Sequence, residues 1–151
     1  MRCENGDVRT ENFLYCCNMK IDGDKIFDPV RRRWVRLTPE EWVRQQTIEM
    51  LHERYRYPLE LMQVEAAITL NGLTKRCDIV VYGRDVKPWM IVECKKEGVA
   101  LSQKVVDQAC RYNLVLKVPY LLLTNGKQII CLSVNAEEGK LRVVAIPEHA
   151  V

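Results

Sequence analysis

Alternating apolar and polar positions predict several β-strands in the middle of the chain. Between residues 62 and 70 every second side chain is apolar, a period typical of a strand with one buried face. Asn71-Gly72 follows as a turn signal. The next two runs, 77–82 and 89–94, are almost continuously apolar, so we expect both strands to be covered on both faces of a sheet.

The first helix is predicted by its start signal. In Thr38-Pro39-Glu40-Glu41, Thr38 is the expected N-cap, Pro39 takes the first helical position, and Glu41 completes a capping box. Because Pro58 cannot continue a helix, we expect this helix to end near residue 55.

A second helix is predicted over residues 101–116, where one stripe recurs at spacings of three and four. The residues of this stripe are Leu101, Val105, Gln108, Tyr112 and Val115. Strands are expected at 120–124 and 128–134, with an edge strand at 141–146. Because strand–helix–strand crossovers are nearly always right-handed, strand 120–124 should run parallel to strand 89–94.

The N-terminal region predicts a small hairpin. Short candidate strands at 25–27 and 34–36 flank Asp28-Pro29. Residues 1–20 have no clear period, and we expect a loose arm or an edge strand there. The whole order predicts an α/β fold with a central mixed sheet flanked by helices (αβββαβ) and preceded by a β-hairpin.

Length and charge fit one ordinary globular domain. The chain has 151 residues and a formal net charge of +3, which permits nucleic-acid binding without indicating it. No apolar run approaches the roughly 18 residues that span a bilayer. Residues 1–13 also lack the apolar core of a signal peptide, so we expect a cytoplasmic protein that does not contact a membrane.

The seven cysteines raise the question of a zinc site or a disulfide framework. None belongs to a CxxC pair, and Cys77, Cys94, Cys110 and Cys131 lie within apolar segments, where cysteine behaves as a small hydrophobe. We therefore expect reduced, buried thiols and no zinc site.

Charged residues converge if strands 77–82 and 89–94 form an antiparallel hairpin. The register that closes it pairs Tyr82 with Trp89, Val80 with Ile91 and Asp78 with Glu93. Directly opposed residues share a face of the sheet. Lys95 lies two residues beyond Glu93 and therefore joins that face.

Two interpretations of this cluster stay open on spacing alone. Opposed carboxylates repel each other and are hard to ionise when buried, and Mg²⁺, which prefers oxygen ligands, would relieve that repulsion. The lysine would then orient the water that attacks a phosphodiester. The alternative is a pair of salt bridges at the rim of the sheet, Asp78 with Lys95 and Glu93 with Arg76.

Two features favour a functional site. The strand that carries Glu93 leads into a helical crossover, and sites in open α/β sheets gather at the carboxyl ends of strands. Gln108 and Tyr112 also lie on the helix stripe that should face the sheet, where polar groups need partners. The alternative is a core Tyr112 with a solvated hydroxyl and a Gln108 that binds a backbone group.

Taken in order, these segments resemble the PD-(D/E)xK nuclease superfamily. More narrowly, they resemble the N-terminal nuclease domain of the restriction subunit of type I restriction–modification enzymes. The resemblance covers roughly residues 25–135. The segments that carry it are Thr38-Pro39-Glu40-Glu41-Trp42-Val43-Arg44-Gln45, Arg76-Cys77-Asp78-Ile79-Val80-Val81, Ile91-Val92-Glu93-Cys94-Lys95, Gln108-Ala109-Cys110-Arg111-Tyr112 and Leu123-Thr124-Asn125-Gly126.

This resemblance implies a single restriction-endonuclease-like domain over 1–151, with an arm and hairpin at 1–36, a core at 37–135 and an edge strand and tail at 136–151. It implies an Mg²⁺-dependent (or Mn²⁺-dependent) DNA endonuclease. The alternative is a catalytically silent DNA-binding or assembly module that keeps the nuclease fold.

The resemblance also implies roles for individual residues. Asp78, Glu93 and the backbone carbonyl of Cys94 would bind the metal, and Lys95 would assist the water. Gln108 and Tyr112 would support DNA or the geometry of the site. The family often adds an acidic residue from the first helix; Glu41, Gln45 and Glu49 compete for that role, and reach toward the sheet favours Glu49.

The implied partners are double-stranded DNA and other restriction–modification subunits acting in trans. A full restriction subunit continues into an ATP-driven motor, but this sequence has no GxxxxGK[ST] motif, so we expect no motor within it. Several cations follow or flank the proposed centre and are expected to contact phosphates. For the three arginines at 31–33, the alternative is a solvated face of the hairpin. These cations are Lys95, Lys96, Lys104, Arg111 and Lys117, with Arg31-Arg32-Arg33 near the hairpin.

Overall fold

The computed structural model describes residues 3–4 and 18–149, with side chains described from residue 18 onward. Most of the expected N-terminal arm therefore lies outside the described residues. The helices are α1 (Pro39–Glu53) and α2 (Gln103–Leu116), with a short 3₁₀ turn at Leu59–Leu61. The strands are β1 (Cys3–Glu4), β2 (Ile21–Asp22), β3 (Lys25–Asp28), β4 (Arg33–Arg36), β5 (Met62–Leu70), β6 (Leu73–Tyr82), β7 (Pro88–Cys94), β8 (Tyr120–Thr124), β9 (Ile129–Asn135) and β10 (Lys140–Val144).

These strands form two sheets, and the larger one is mixed. Its order is β1-β10-β9-β8-β7-β6-β5, while β2, β3 and β4 form a small sheet of their own. β7 and β8 run parallel, with Met90 opposite Tyr120 and Cys94 opposite Thr124, which confirms the predicted crossover through α2. The other neighbours from β5 to β10 are antiparallel. The mixed α/β architecture is thus confirmed.

The expected edge strand at 141–146 is not at the edge. β10 pairs with β9 as predicted, but Cys3 and Glu4 pair with Leu141 and Arg142 on its other side. Residues 3–4 therefore supply the edge, which matches one of the two expectations for the N-terminal region.

Each face of the large sheet is covered by one helix. Val43, Ile48 and Leu51 of α1 pack in a cluster with Ile79 and Val92, which we call the α1-side core. A second cluster, the α2-side core, joins Val105, Ala109 and Tyr112 of α2 to the sheet residues Cys77, Val80, Ile91 and Leu121. From Cys77 onward β6 is buried on both faces, as is β7, as the continuous apolar runs predict. Full burial of each large apolar side chain there contributes about 1.5–3 kcal/mol.

The start of α1 confirms half of the predicted capping arrangement. The Thr38 hydroxyl accepts a hydrogen bond from the Glu41 N–H at 3.1 Å, so Thr38 is the N-cap. Glu41 does not return the bond, because Thr38 N–H bonds to the carbonyl of Arg36 and the Glu41 carboxylate is held by arginines. The helix ends at Glu53, two residues before the predicted end.

The predicted hairpin between β6 and β7 forms, with one correction. Val80 lies opposite Ile91 as expected, and Ile79 lies opposite Val92. Tyr82, however, pairs with Pro88 and not with Trp89, because a bulge between Val81 and Tyr82 shifts the register near the loop. The predicted register holds from Val81 to Ile79, but the ladder ends there, and the predicted pair of Asp78 with Glu93 is not part of it.

The N-terminal hairpin is also confirmed, as β3 and β4, and β2 extends it to three strands. Ile26 and Asp28 are fully buried. The Asp28 carboxylate accepts hydrogen bonds from the N–H groups of Val30 and Arg31 at 2.8 and 3.0 Å. This aspartate therefore fixes the turn that joins the two strands.

The cysteines with described side chains behave largely as predicted. Cys77, Cys94 and Cys131 are buried in the core, whereas Cys110 is only partly buried. Burial raises the pKa of the Cys131 thiol to about 12 and that of Cys94 well above its ordinary value, so these thiols stay protonated and unreactive. Over the described residues, neither helix has the length and apolar character that crossing a membrane demands.

Candidate active site

Asp78 and Glu93 lie beside each other on β6 and β7, almost out of contact with solvent. Asp78 is 9% exposed and Glu93 is 1% exposed. The Asp78 carboxylate accepts a hydrogen bond from Cys94 N–H at 2.8 Å and another from the Arg44 guanidinium at 2.7 Å. Asp78 is thus tied both to the strand that carries Glu93 and to α1.

A local irregularity lets Asp78 leave the regular pleat. Val64 pairs with Ile79 and Ala66 pairs with Cys77, but Glu65 and Asp78 between them form no ladder pair. Glu65 adopts a left-handed backbone with φ of 52°. Residues two apart in a regular strand share a face, yet Ile79 packs in the α1-side core and Cys77 in the α2-side core. β6 therefore changes the face that it turns to each core at Asp78, the residue that accepts a hydrogen bond from Arg44 of α1.

The Glu93 carboxylate is incompletely satisfied. Its Oε1 atom is buried without a hydrogen-bond partner in the described structure, as are Arg44 Nε and Glu49 Oε2. Burial raises the pKa of Glu93 most, and the charge and hydrogen bond of Asp78 add to the effect, whereas Lys95 lowers it; the result is about 8. In this arrangement Glu93 is largely protonated at neutral pH, and a bound cation would favour its ionised form.

Lys95 is held by a chain of hydrogen bonds that runs back to the sheet. Its ammonium donates to the Gln108 side chain at 3.1 Å, Gln108 donates to the Tyr112 hydroxyl at 3.5 Å, and that hydroxyl donates to the carbonyl of Arg76 at 3.0 Å. The polar stripe residues of α2 therefore have the partners that burial demands. A core Tyr112 with a solvated hydroxyl is excluded, because the hydroxyl binds a carbonyl.

The rim salt bridges are not formed. Arg76 pairs with Glu65 at 3.6 Å and not with Glu93, and the Lys95 ammonium binds Gln108. Among the described residues, the ion pair of Asp78 is with Arg44. The alternative interpretation of the cluster as two cross-strand salt bridges is therefore wrong.

A set of buried ion pairs behind Asp78 was not foreseen from the sequence. Arg44 binds Asp78 at 2.7 Å and Glu41 at 2.5 Å. Arg31 binds Asp28 of its own hairpin, Glu41 at 2.7 Å and Glu65 at 3.2 Å. We call these six residues, Asp28, Arg31, Glu41, Arg44, Glu65 and Asp78, the Arg31 network. Burial alone lowers the pKa of Arg44, but the hydrogen bond and charge of Asp78 and the charge of Glu41 outweigh it, and the pKa is raised overall.

Of the three candidates on the first helix, Glu41 is the one that the network joins to Asp78. Glu49, which the sequence favoured, accepts a hydrogen bond from Asn18 N–H and lines a pocket of about 260 Å³ with Phe27 and His52. Glu41 instead reaches Asp78 through Arg44, and Gln45 donates to Glu41 at 2.9 Å. Glu40, which the sequence interpretation did not consider, lies close enough for its charge to raise the pKa of Glu93.

The three arginines at positions 31–33 differ in exposure and in partners. Arg31 is committed to the Arg31 network and its side chain is only 14% exposed, so it is neither a phosphate contact nor part of a solvated face. Arg32 and Arg33 are exposed. Lys96, Lys104, Arg111 and Lys117 are exposed as well.

Residues 39–147 match the family model described as type I restriction enzyme R protein N terminus. The chain belongs to this family. The comparison with curated proteins returned no match. The family match spans α1 through β10 and contains Asp78, Glu93, Lys95, Gln108 and Tyr112, whereas the hairpin with Arg31 precedes it.

Proposed function

We propose that the chain is a DNA endonuclease domain of the restriction-endonuclease-like fold that hydrolyses phosphodiester bonds with Mg²⁺ or Mn²⁺. The observation that carries the proposal is the unpartnered, buried Oε1 of Glu93 next to a second carboxylate and a fixed ammonium. Family membership supports a role in restriction.

The donor set fits a hard divalent cation. Mg²⁺ in phosphate chemistry is usually held by one or two carboxylates, completed by water and substrate oxygens. Asp78, Glu93 and the Cys94 carbonyl are the residues that would hold it. In the described part of the chain, no three acidic, histidine or cysteine side chains are placed so that together they could hold a metal ion. Two carboxylates and a carbonyl are therefore the whole proposed protein contribution. A bound divalent ion would supply Lewis-acid polarisation of the phosphate and a lower pKa for water.

Arg44 does not disqualify Asp78 as a ligand. Each carboxylate oxygen has two lone pairs, and each oxygen of Asp78 accepts one hydrogen bond, from Arg44 or from Cys94. Arg44 therefore fixes the orientation of the Asp78 carboxylate and leaves lone pairs on both of its oxygens for a cation.

Lys95 is the proposed residue that orients water and stabilises charge on the phosphate. An ammonium has three donors, and Gln108 takes one of them, so two remain for water and phosphate. The bond to Gln108 restricts the lysine, and preorganised charge of this kind accelerates phosphoryl chemistry. Gln108 and Tyr112 are thus proposed as positioning residues for Lys95.

Double-stranded DNA is the proposed substrate, and other restriction–modification subunits are proposed partners in trans. Lys96, Lys104, Arg111 and Lys117 are exposed, and none forms an ion pair with the residues that the structure describes. Cations without acidic partners are free to bind phosphates, which gives salt-dependent and largely sequence-neutral affinity. This activity would operate in the cytoplasm, where it meets DNA.

The test is cleavage of plasmid DNA by the purified chain with Mg²⁺ or Mn²⁺. Wild type should cut, whereas Glu93→Ala, Lys95→Ala and wild type in a chelator should not. Glu97→Ala and Lys140→Ala, at exposed positions, are the matched controls and should cut normally. If all proteins bind DNA and none cuts it, the chain is a silent binding module. If wild type neither binds nor cuts, the proposal is wrong.

A further inference from the structure

The small sheet β2–β4 precedes the family match and takes no part in the proposed chemistry. Along β3 and β4 the side chains alternate between two faces. Ile26 and Asp28 are fully buried on one face. The other face carries two cross-strand pairs, Phe27 opposite Trp34 and Lys25 opposite Arg36. We call these four residues the Trp34 face.

An exposed aromatic pair lies at the centre of this face. Trp34 is 45% exposed, although it packs edge-on against Phe27 with ring centroids 5.6 Å apart. The Lys20 ammonium lies 5.9 Å from the centroid of the Phe27 ring. A single exposed tryptophan needs no explanation, but one held in place by a second ring and surrounded by cations forms a platform for a flat, anionic ligand.

The charges of the Trp34 face do not serve folding. Lys25 and Arg36 are directly opposed, and like charges in that position destabilise a sheet. Neither forms an ion pair with a described residue. Asp22, the other neighbour of Lys25, offsets only part of this charge. Of the exposed charged residues from 20 to 36, five are cations and two are anions; they are Lys20, Lys25, Arg32, Arg33 and Arg36 against Asp22 and Asp24.

The small sheet that carries the Trp34 face is tied to the candidate site by ion pairs. Arg31, in the turn between β3 and β4, binds Glu41 and Glu65. Glu41 binds Arg44, which binds Asp78. The small sheet is therefore linked to the proposed catalytic carboxylate by consecutive ion pairs.

We propose that the Trp34 face binds an unpaired stretch of DNA, with a base stacked on Trp34 and phosphates on Lys25 and Arg36. The inference rests on the proposed function, because the DNA bound by the Trp34 face is the DNA that the candidate active site would cut. Bases within a duplex are already stacked, whereas exposed aromatic rings between cations are how proteins hold single strands. Glu49 and Glu53 line the pocket beyond Phe27 and repel phosphates, so the backbone passes over Trp34 and Arg36, away from α1.

The experiment measures fluorescence anisotropy of a labelled 20-nucleotide thymidine strand and of a duplex of equal length, both in chelator to prevent cleavage. Trp34→Ala should weaken binding of the single strand about tenfold or more, the usual loss for one stacked base, and change duplex binding less than about twofold. Trp34→Phe should restore most of the affinity. Val86→Ala, at an apolar position that is 70% exposed, is the matched control.

The charged pair gives a second, independent test. The double variant Lys25→Ala/Arg36→Ala removes two exposed side chains and leaves the core intact. When the logarithm of its single-strand affinity is plotted against the logarithm of salt concentration, the slope should be smaller than that of wild type by about 1.4, as expected for two lost phosphate contacts. Equal single-strand affinity for Trp34→Ala and Val86→Ala, together with an unchanged slope for the double variant, overturns the proposal. So does an equal loss on duplex and single strand.

Failure of the proposed function would look different. If wild type does not cleave but binds the single strand through Trp34, the nuclease proposal fails and the Trp34 face stands. If Glu93→Ala abolishes cleavage and Trp34→Ala leaves single-strand binding unchanged, the nuclease proposal stands and the present inference fails.

Discussion

The two carboxylates of the candidate site lie side by side but have opposite electrostatic surroundings. Asp78 is matched by Arg44 of α1 at 2.7 Å and belongs to a network of ion pairs. Glu93 has an oxygen without a partner in the described structure, and the nearby Lys95 ammonium is held by Gln108. The protein neutralises one carboxylate by itself and leaves the other to an external cation.

This difference predicts which variants should lower stability and which should lower metal binding and activity. Charges that the protein pairs internally should matter most for stability, because an unpaired buried charge is unfavourable. A carboxylate that the protein leaves unpaired should matter most for metal binding and activity. Four measurements test this division.

Glu93→Gln should lower the cleavage rate about a thousandfold, because loss of several kcal/mol of charge stabilisation corresponds to that factor. Its folding should be preserved. The measurement is the initial rate of plasmid nicking with saturating Mg²⁺, with Glu97→Gln as the control. A Glu93→Gln protein with more than about a tenth of wild-type activity would contradict the assignment.

Arg44→Met should lower the free energy of unfolding by about 3–5 kcal/mol, the usual effect of removing one partner of a buried pair. The loss leaves both Asp78 and Glu41 without this partner. Urea unfolding followed by circular dichroism measures it. Arg36→Met, at an exposed position, is the control and should change stability by less than about 0.5 kcal/mol. Equal midpoints for the two variants would show that the Arg31 network contributes little.

The stability of the metal-free protein should fall as pH rises from about 5 to about 8. The pKa of Glu93 is raised to about 8 in the folded state, so over this range the folded state binds more protons than the unfolded state, and stability declines. Thermal unfolding in chelator at several pH values measures how steeply stability falls with pH. This decline should be smaller for Glu93→Gln than for wild type. Identical slopes for the two proteins would argue against a protonated, buried Glu93.

Gln108→Leu should lower the cleavage rate about tenfold and leave DNA affinity unchanged, because Lys95 loses the acceptor that orients it. Gln103→Leu, at an exposed position in the first turn of the same helix, is the control. Single-turnover rates and anisotropy titrations separate the two quantities. A loss of affinity without a loss of rate would indicate that Gln108 contacts DNA and does not position Lys95.

The sequence predicted the parts of the site that depend on local period and register. Alternation and turn signals placed Val80 opposite Ile91, as the structure has it, although Asp78 reaches the end of β7 through a hydrogen bond from Cys94 N–H and not through a ladder pair with Glu93. The stripe on α2 placed Gln108 and Tyr112 toward the sheet, where they meet Lys95 and the Arg76 carbonyl. The ordered resemblance then indicated the family to which the chain belongs.

The parts that the sequence did not predict depend on tertiary packing. Arg44 and Asp78 are 34 residues apart, and no local pattern joins them. The choice between Glu41 and Glu49 depends on the rotation of α1 and on where the hairpin lies, which periodicity does not specify. The bulge at Tyr82 arises at the loop, where the strand register is least constrained by the core.

The guanidinium of Arg31 ties residues outside the family match to carboxylates inside it. The family match begins at residue 39, but Glu41 and Glu65 within it are paired with a residue that precedes it. A fragment cut at the start of the match would leave these carboxylates with less compensating charge behind Asp78. The range that homology recognises is therefore shorter than the range over which the charges are balanced.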